Sequence, residues 1–307
     1  MKLVIPGGSG HLGREARGHF EKLGWEVVVL SRTPTGTSDL AWDGRTLGPW
    51  AESIDGADVV LNLAGRSINC RYTPQHLAEI RDSRVDSTRV VGQAIEHAKR
   101  PPKLWLQASS LSLYAHRYDA ANDESGAIAS GEPVKWMAIV DIILAWEAAL
   151  NAANTPHTRR IALRNSGVLQ NTKGSLLDVL TGLAKKGLLG TLGDGKQFVS
   201  WIHIADFLGI LQFCLKHEDL SGPINVCTPF PLPMKEFAKE VREALGVKIG
   251  LPAPAPLLEI GTFLMGTETE LILKSRRCTP GKLLDSGFDF RFAKLEEALR
   301  DLIKGHR

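Results

Sequence analysis

Cysteine, tyrosine and clustered basic charge are all scarce in this sequence, and each scarcity closes a class of function. The four cysteines, Cys70, Cys214, Cys227 and Cys278, form no C-x-x-C pair, and none sits at zinc-ligand spacing from a histidine. No metal site is therefore expected, and free thiols are the expected state. Lysine and arginine never occur more than two in succession and the net charge is only +3, which is not the pattern of a nucleic-acid or membrane-surface protein. The most apolar late stretch, residues 252–265, is broken by Pro254, Pro256 and Gly261 and interrupted by Glu259, so it cannot span a bilayer. Met1-Lys2 lead straight into Leu3-Val4-Ile5 and then glycines, so no signal peptide is expected and the protein reads as cytoplasmic. Only three tyrosines occur, Tyr72, Tyr114 and Tyr118, and none has a lysine four residues on.

What is present is an alternation of short apolar runs with helical patterns. Leu3–Ile5, Val27–Leu30, Val59–Leu63, Leu104–Ala108 and Ile161–Leu163 read as strands. Between them, Gly13–Leu23, Pro74–His97 (with a break) and Val140–Asn151 read as helices. Continuously apolar strands separated by helices predict an α/β fold, a doubly wound parallel Rossmann sheet covered on both faces. After about residue 170 the alternation loosens. Leu176–Lys186, Met234–Leu245 and Leu295–Ile303 read as helices, Gly190–Gly195 as a turn-rich loop, and Trp201–Leu215 as a short strand or turn entering a helix. The expectation is a Rossmann domain over residues 1–170 and a small C-terminal substrate lobe over 171–307, with about 200–227, notably Ile224–Val226, returning to the Rossmann sheet.

The chemistry is concentrated after the first strand. Gly7-Gly8-Ser9-Gly10-His11-Leu12-Gly13 satisfies both G-x-G-x-x-G and G-x-x-G-x-x-G between a strand and a helix. Glycine serves the tight turn and lets a pyrophosphate approach the backbone, while the helix N-terminus presents free N–H groups to the anion. The second strand ends in Ser31-Arg32 rather than an acidic residue. An Asp or Glu there would bind the ribose hydroxyls of NAD, whereas Ser and Arg suit a 2′-phosphate, so NADP is the expected cofactor. Asp43 has two open uses, adenine contact or turn cap. Leu63-Ala64-Gly65, after Asn62, offers small residues at a strand's carboxyl end, where a cofactor passes close to the backbone.

Gly7 to Gly13, Asn62 to Gly65, Ser109-Ser110 with Tyr114, and Trp146-Glu147 resemble extended short-chain dehydrogenases/reductases of the NAD-dependent epimerase/dehydratase family. Ile80-Arg81-Asp82-Ser83-Arg84-Val85, Trp146-Glu147-Ala148-Ala149, Ser200 to Ile204, Leu220 to Asn225 and Glu236-Phe237-Ala238 resemble its "epimerase family protein" branch. Lys282-Leu283-Leu284 with Gly287-Phe288 and Phe290 resembles that branch's C-terminal domain of unknown function. Pro6, and Gln170 to Lys173 in place of a glycine-rich loop, depart from the usual pattern. The resemblance implies an oxidoreductase or a nucleotide-sugar-epimerase-like protein acting on a small molecule, as a monomer or homodimer.

Members of the wider superfamily use Ser or Thr with Tyr-x-x-x-Lys. Anchored on Trp146-Glu147, that resemblance places Ile139 at the Tyr position and Ile143 at the Lys position, an absence the branch shares. Ser110 keeps the Ser/Thr position. Candidate proton donors are Tyr114, Ser110 and His203 in that order, each with an open structural alternative; Tyr114 leads because a strand-end position points it toward the cleft. Arg277 reads as a substrate contact or a surface salt bridge, and Arg71, Arg81 and Arg84 as a cluster in which Arg81 and Arg84 share a helix face. A cofactor-binding module without turnover is the competing reading.

Overall fold

A computed structural model describes residues 1–304. The chain opens with β1 (Lys2–Pro6), α1 (His11–Lys22), β2 (Glu26–Ser31), β3 (Asp39–Ala41) and β4 (Val59–Asn62). Helix α2 (Pro74–His97), β5 (Leu104–Ser110), α3 (Val134–Asn151) and β6 (Arg159–Asn165) follow. Strand β10 (Gly222–Val226), reached through the second half of the chain, closes a seven-stranded sheet of order β10-β6-β5-β4-β1-β2-β3 in which every pairing is parallel. The sequence expectation that Ile224–Val226 returns to this sheet is met in register, with Ile224 opposite Leu163.

The apolar strands bury alternate residues on opposite faces. Leu3, Ile5, Val27, Val29, Leu61, Leu106 and Leu163 face one core with Ala16 and Phe20 of α1. Val4, Val28, Leu30, Val60, Trp105 and Ala162 face another with Val90, Val91 and Ile95 of α2. A period of two along buried strands explains why the runs are continuously apolar and why the sheet is doubly wound. Successive strands run outward from β1 in both directions, so strand order reverses between β1 and β4; ligands of such sheets bind at this switch point, beyond the carboxyl ends of the strands.

Helix α2 corrects one expectation: it is unbroken over its 24 residues. Pro74 sits in the first turn behind the Thr73 cap, where its missing N–H is harmless. Within the helix the Ser87 and Thr88 hydroxyls turn back and donate to the Arg84 carbonyl at 3.0 and 2.8 Å.

A third core gathers the later elements. Strand β7 (Gly167–Leu169) pairs in parallel with β9 (Trp201–His203), β8 (Phe198–Val199) pairs antiparallel with β11 (Leu232–Pro233), and α4 (Leu176–Lys185) lies between β7 and β8 in the chain. Helix α5 (Ile204–Lys216) packs on the sheet core through Phe207, Ile210 and Leu211. Helices α6 (Met234–Ala244), α7 (Ala255–Leu264) and α10 (Leu295–Lys304) enclose Trp201, Phe237, Leu258 and Leu299. The short helices α8 (Glu270–Leu273) and α9 (Gly281–Asp285) carry the chain back past the sheet. Among the described residues no helix is long and apolar enough to cross a membrane, no cluster of side chains could hold a metal ion, and all four cysteines are free.

Candidate functional site

The turn from β1 into α1 is built by close packing. Gly7 adopts φ +74°, and a Cβ on it would lie 2.6 Å from Ala64 Cα. A Cβ on Gly13 would lie 2.3 Å from the Gly8 carbonyl oxygen. Gly10 differs: its φ is −72°, open to any residue, and a Cβ there would meet nothing nearer than the Gly7 oxygen at 3.8 Å. Internal packing therefore explains glycine at 7 and 13 but not at 10, where the missing side chain leaves a cradle over the helix terminus. Gly10 caps α1 without a side-chain hydrogen bond and no acidic residue occupies the first turn. The first-turn N–H groups thus face the cleft with no intrahelical acceptor. Buried Asn62 sets the opposite wall, its Oδ1 accepting from Ala64 N at 3.1 Å. Leu63 lines the cleft itself.

Two cavities flank this turn. The outer one, about 580 Å³, is lined by Gly8, Ser9, Ser31, Arg32 and Thr33, with Arg14 and Arg17 of α1. Ser31 is buried, and its hydroxyl bridges the Thr33 backbone. Arg17 is committed to Glu21 and Asp39 at 2.8 and 2.7 Å. Arg32 has no hydrogen-bond or ion-pair partner among the described residues, and Arg14 has only the Ser9 carbonyl at 2.7 Å. Arg14 is a contributor that sequence reasoning missed; the signal was Arg14 and Arg17 three apart on the first turns of α1. Asp43 lies outside both cavities. Its carboxylate accepts from Arg45 N, Thr46 N and Thr46 Oγ1, which holds its pKa down at about 2. The structure uses it as a turn cap.

The inner cavity, about 400 Å³, runs from Gly7, Gly10, His11, Leu12 and Gly13 to Ser109, Ser110, Ser112 and Asn165. Ile139 and Ile143 line it, as the anchoring on Trp146-Glu147 expects, together with Ile142 and Trp146. Ser110 Oγ accepts from Ser112 N at 3.2 Å. Asn165 Oδ1 is buried without a partner.

Beneath this floor lies a network that sequence reasoning did not assemble. Ser109 Oγ donates to Glu147 at 2.6 Å. Arg164 grips the same carboxylate with two nitrogens, at 2.9 and 2.8 Å, and donates to the Tyr114 hydroxyl at 2.6 Å. That hydroxyl donates to Asn225 Oδ1 at 2.8 Å. An arginine at the end of an otherwise apolar strand, Ile161-Ala162-Leu163-Arg164, was the available signal.

The three proposed proton donors are therefore not brought together. Ser110 lines the cleft. Tyr114 does not, contrary to the strand-end expectation: a one-turn helix over Leu111–Leu113 carries it into the core, where it is 2% exposed. Burial pushes its phenol up to about 12 despite Arg164. His203 is also elsewhere. It caps α5, Nδ1 accepting from Ala205 N at 3.0 Å, and its ring stacks on Phe292. Nε2 lies 3.3 Å from Asp301 without hydrogen-bond geometry, and burial pulls the imidazole down to about 4.

The arginines also separate. Arg277 makes no salt bridge among the described residues; it donates to the Tyr118 carbonyl and covers the Phe198 ring. Arg71 pairs with Glu268 at 3.3 Å. Arg81 and Arg84 lie three apart on α2 as expected, but Arg81 is exposed while Arg84 turns into the cleft. The inward turn follows from two backbone carbonyls that Arg84 reaches.

The family model for the NAD dependent epimerase/dehydratase family matches residues 3–227, and one for a domain of unknown function matches residues 253–302. Epimerase family protein YfhF of Bacillus subtilis is 32% identical over 99% of this chain and 98% of its own. The crystal structure of human epimerase family protein SDR39U1 with NADPH superposes with a TM-score of 0.88 at 27% identity, covering 99% of each chain. UDP-N-acetylglucosamine 4-epimerase from Bacillus cereus shares the fold, with a TM-score of 0.73 at 17% identity over 100% of this chain and 99% of that one. The glycine turn at a sheet switch point, the two cavities beside it and a family match across most of the chain agree: the protein belongs to the NAD-dependent epimerase/dehydratase family.

Proposed function

We propose that the chain is an NADP(H)-binding, epimerase-like oxidoreductase that works without a Tyr–Lys pair. The observation that carries the cofactor is the outer cavity: Arg32 and Arg14 stand there unpaired beside Ser31, at the strand end where an NAD site would present an acid, while the cavity's two carboxylates, Glu21 and Asp39, are both held by Arg17. The cradle at Gly10 fits a pyrophosphate over the α1 N-terminus, with Ser9, His11, Leu12 and Gly13 around it. Ala64 packs directly against Gly7, while a Cβ on Gly65 would lie 3.1 Å from the Arg84 guanidinium carbon. The human relative crystallised with NADPH supports the same cofactor.

A bound nicotinamide supplies hydride transfer. This chain's residues supply binding, a mostly apolar chamber, and hydroxyls at Ser109, Ser110 and Ser112. Ser110 is the candidate that can touch a ligand; Tyr114 acts at a distance, by holding Arg164 and Asn225. One observation favours a second reading, cofactor binding without turnover: no tyrosine, lysine or carboxylate lines the inner cavity.

Titration of the purified protein with NADPH and NADH tests the cofactor. NADPH should bind more tightly, and Arg32→Glu should weaken NADPH by about 1–3 kcal/mol while leaving NADH little changed. Equal affinity for the two cofactors in the unmodified protein would overturn the reading. A metabolite panel followed by NADPH absorbance separates turnover from storage.

A further inference from the structure

Arg84 is a cation in an apolar chamber without a counter-ion. It lines the inner cavity among Ile68, Ile80, Ile142 and Trp146. Its Nη1 donates to the carbonyls of Arg66 and Ile80 at 2.9 and 3.1 Å. Its guanidinium lies 5.0 Å from the centre of the Trp146 ring, and Trp146 is itself fixed by its Nε1 donating to Thr88 at 3.0 Å. The group is therefore held in one orientation. Nε and Nη2 have no partner among the described residues, and neither is among the sealed, unpartnered side-chain atoms, so both keep a path to the cleft. The neighbouring Arg164 shows the contrast, because Glu147 closes it from two sides.

A guanidinium taken out of water without a carboxylate is costly, and carbonyl dipoles and a ring face offset only part of that cost. Burial lowers the Arg84 pKa to about 10, so the charge persists at neutral pH. The anions of NADP(H) have other sites in the reading above: the α1 N-terminus for the pyrophosphate, Arg14 and Arg32 for the 2′-phosphate. Arg84 is left over, and the pair of parallel N–H groups on its Nε–Nη2 edge matches the two oxygens of a carboxylate.

We propose that Arg84 is the substrate-recognition residue of the inner cavity and that it takes the carboxylate of a small molecule whose body is apolar. The proposal rests on the cofactor assignment for the rest of the cleft. Ile68, Ile80, Ile139 and Ile142 receive the body, and Ser110, in the same lining, is the serine left for a polar group at its other end, since the Ser109 and Ser112 hydroxyls are engaged by Glu147 and Arg276.

The test uses the full-length protein saturated with NADPH and calorimetric titration with benzoate, benzamide and phenylphosphonate as probes. Benzoate should bind, benzamide should bind at least about tenfold more weakly, and phenylphosphonate should not exceed benzoate. R84Q should lose benzoate by about tenfold or more while its NADPH affinity stays within about twofold. R84K, which keeps the charge but not the fork, should fall between. Equal binding of benzoate and benzamide, unchanged benzoate binding in R84Q, or tighter phenylphosphonate would each overturn the proposal. So would loss of NADPH by a folded R84Q, because Arg84 would then serve the cofactor. If R84Q does not fold, the benzoate–benzamide comparison on the native chain decides by itself. If the native chain fails to bind NADPH, the cofactor reading falls, and the same comparison on the cofactor-free protein still judges Arg84.

Discussion

The two ends of the cleft are made of different material. At the end proposed for the phosphates the surface is backbone: a glycine turn whose Cβ positions are blocked by neighbouring chain at 7 and 13 and empty at 10, leading into unpartnered helix N–H groups. At the inner end the surface is side chain: isoleucines from α3, a tryptophan, serines, and Arg84 from α2. A surface of backbone can be built from one contiguous segment, because a turn and the helix that follows are local. A surface of side chains draws on α2, α3, β5 and β6 at once. The inner end also stands on the Glu147–Arg164–Tyr114–Asn225 network, whose members come from four separate stretches of chain.

The sharpest way to break that comparison is to remove a strut beneath the inner end. Arg164→Met leaves the nearly buried Glu147 carboxylate without its two-point partner, and stability should fall by about 3–5 kcal/mol. Urea unfolding monitored by tryptophan fluorescence measures it; a loss below about 1 kcal/mol would show that the network is not a strut.

The phosphate end should break without unfolding. Gly10→Val places a side chain in the cradle but against no internal atom. NADPH affinity should drop about a hundredfold, near 2.7 kcal/mol, while the melting temperature barely moves. Calorimetric titration beside a thermal melt separates the two outcomes, and normal NADPH binding by the variant would place the pyrophosphate elsewhere.

His203 supports α5 from outside both ends, and only as the neutral tautomer, since Nδ1 accepts from Ala205 N. Its folded pKa, about 4, lies below the ordinary 6.5, so the unfolded chain binds more protons between those values. This contribution is fully present above pH 6.5 and is lost as pH falls toward 4, a loss of roughly 2–3 kcal/mol. His203→Asn keeps a capping oxygen and should flatten that slope in denaturant midpoints measured across the window; an unchanged slope assigns it to other groups.

The smallest effect is expected at Asp43. Asp43→Ala opens an exposed turn and should leave NADPH affinity within about twofold. A larger loss in the same titration would return Asp43 to the adenine.

The parts of this protein that depend on neighbours along the chain were legible in its amino-acid order. Continuously apolar runs announced strands buried on both faces, and their alternation with helices announced the parallel sheet. Gly7 to Gly13 between strand and helix marked the glycine turn beside the cleft, and Ser31-Arg32 marked a wall of its outer cavity. Even the apolar substitution at Ile139 and Ile143 could be located, because their offset from Trp146-Glu147 is fixed on one helix. What depends on the distance between far-separated residues was not legible. Tyr114 looked like a cleft residue until the turn after β5 carried it into the core beside Arg164. His203 looked like a proton donor until β9 and α5 made it a cap. Arg84 looked like one of a cluster of arginines, as open to a structural role as to a ligand, until the carbonyls of Arg66 and Ile80 fixed it in the cleft. Local propensity and periodicity act over a few residues, whereas burial, and with it the cost of an unpaired charge, exists only once the chain has closed on itself.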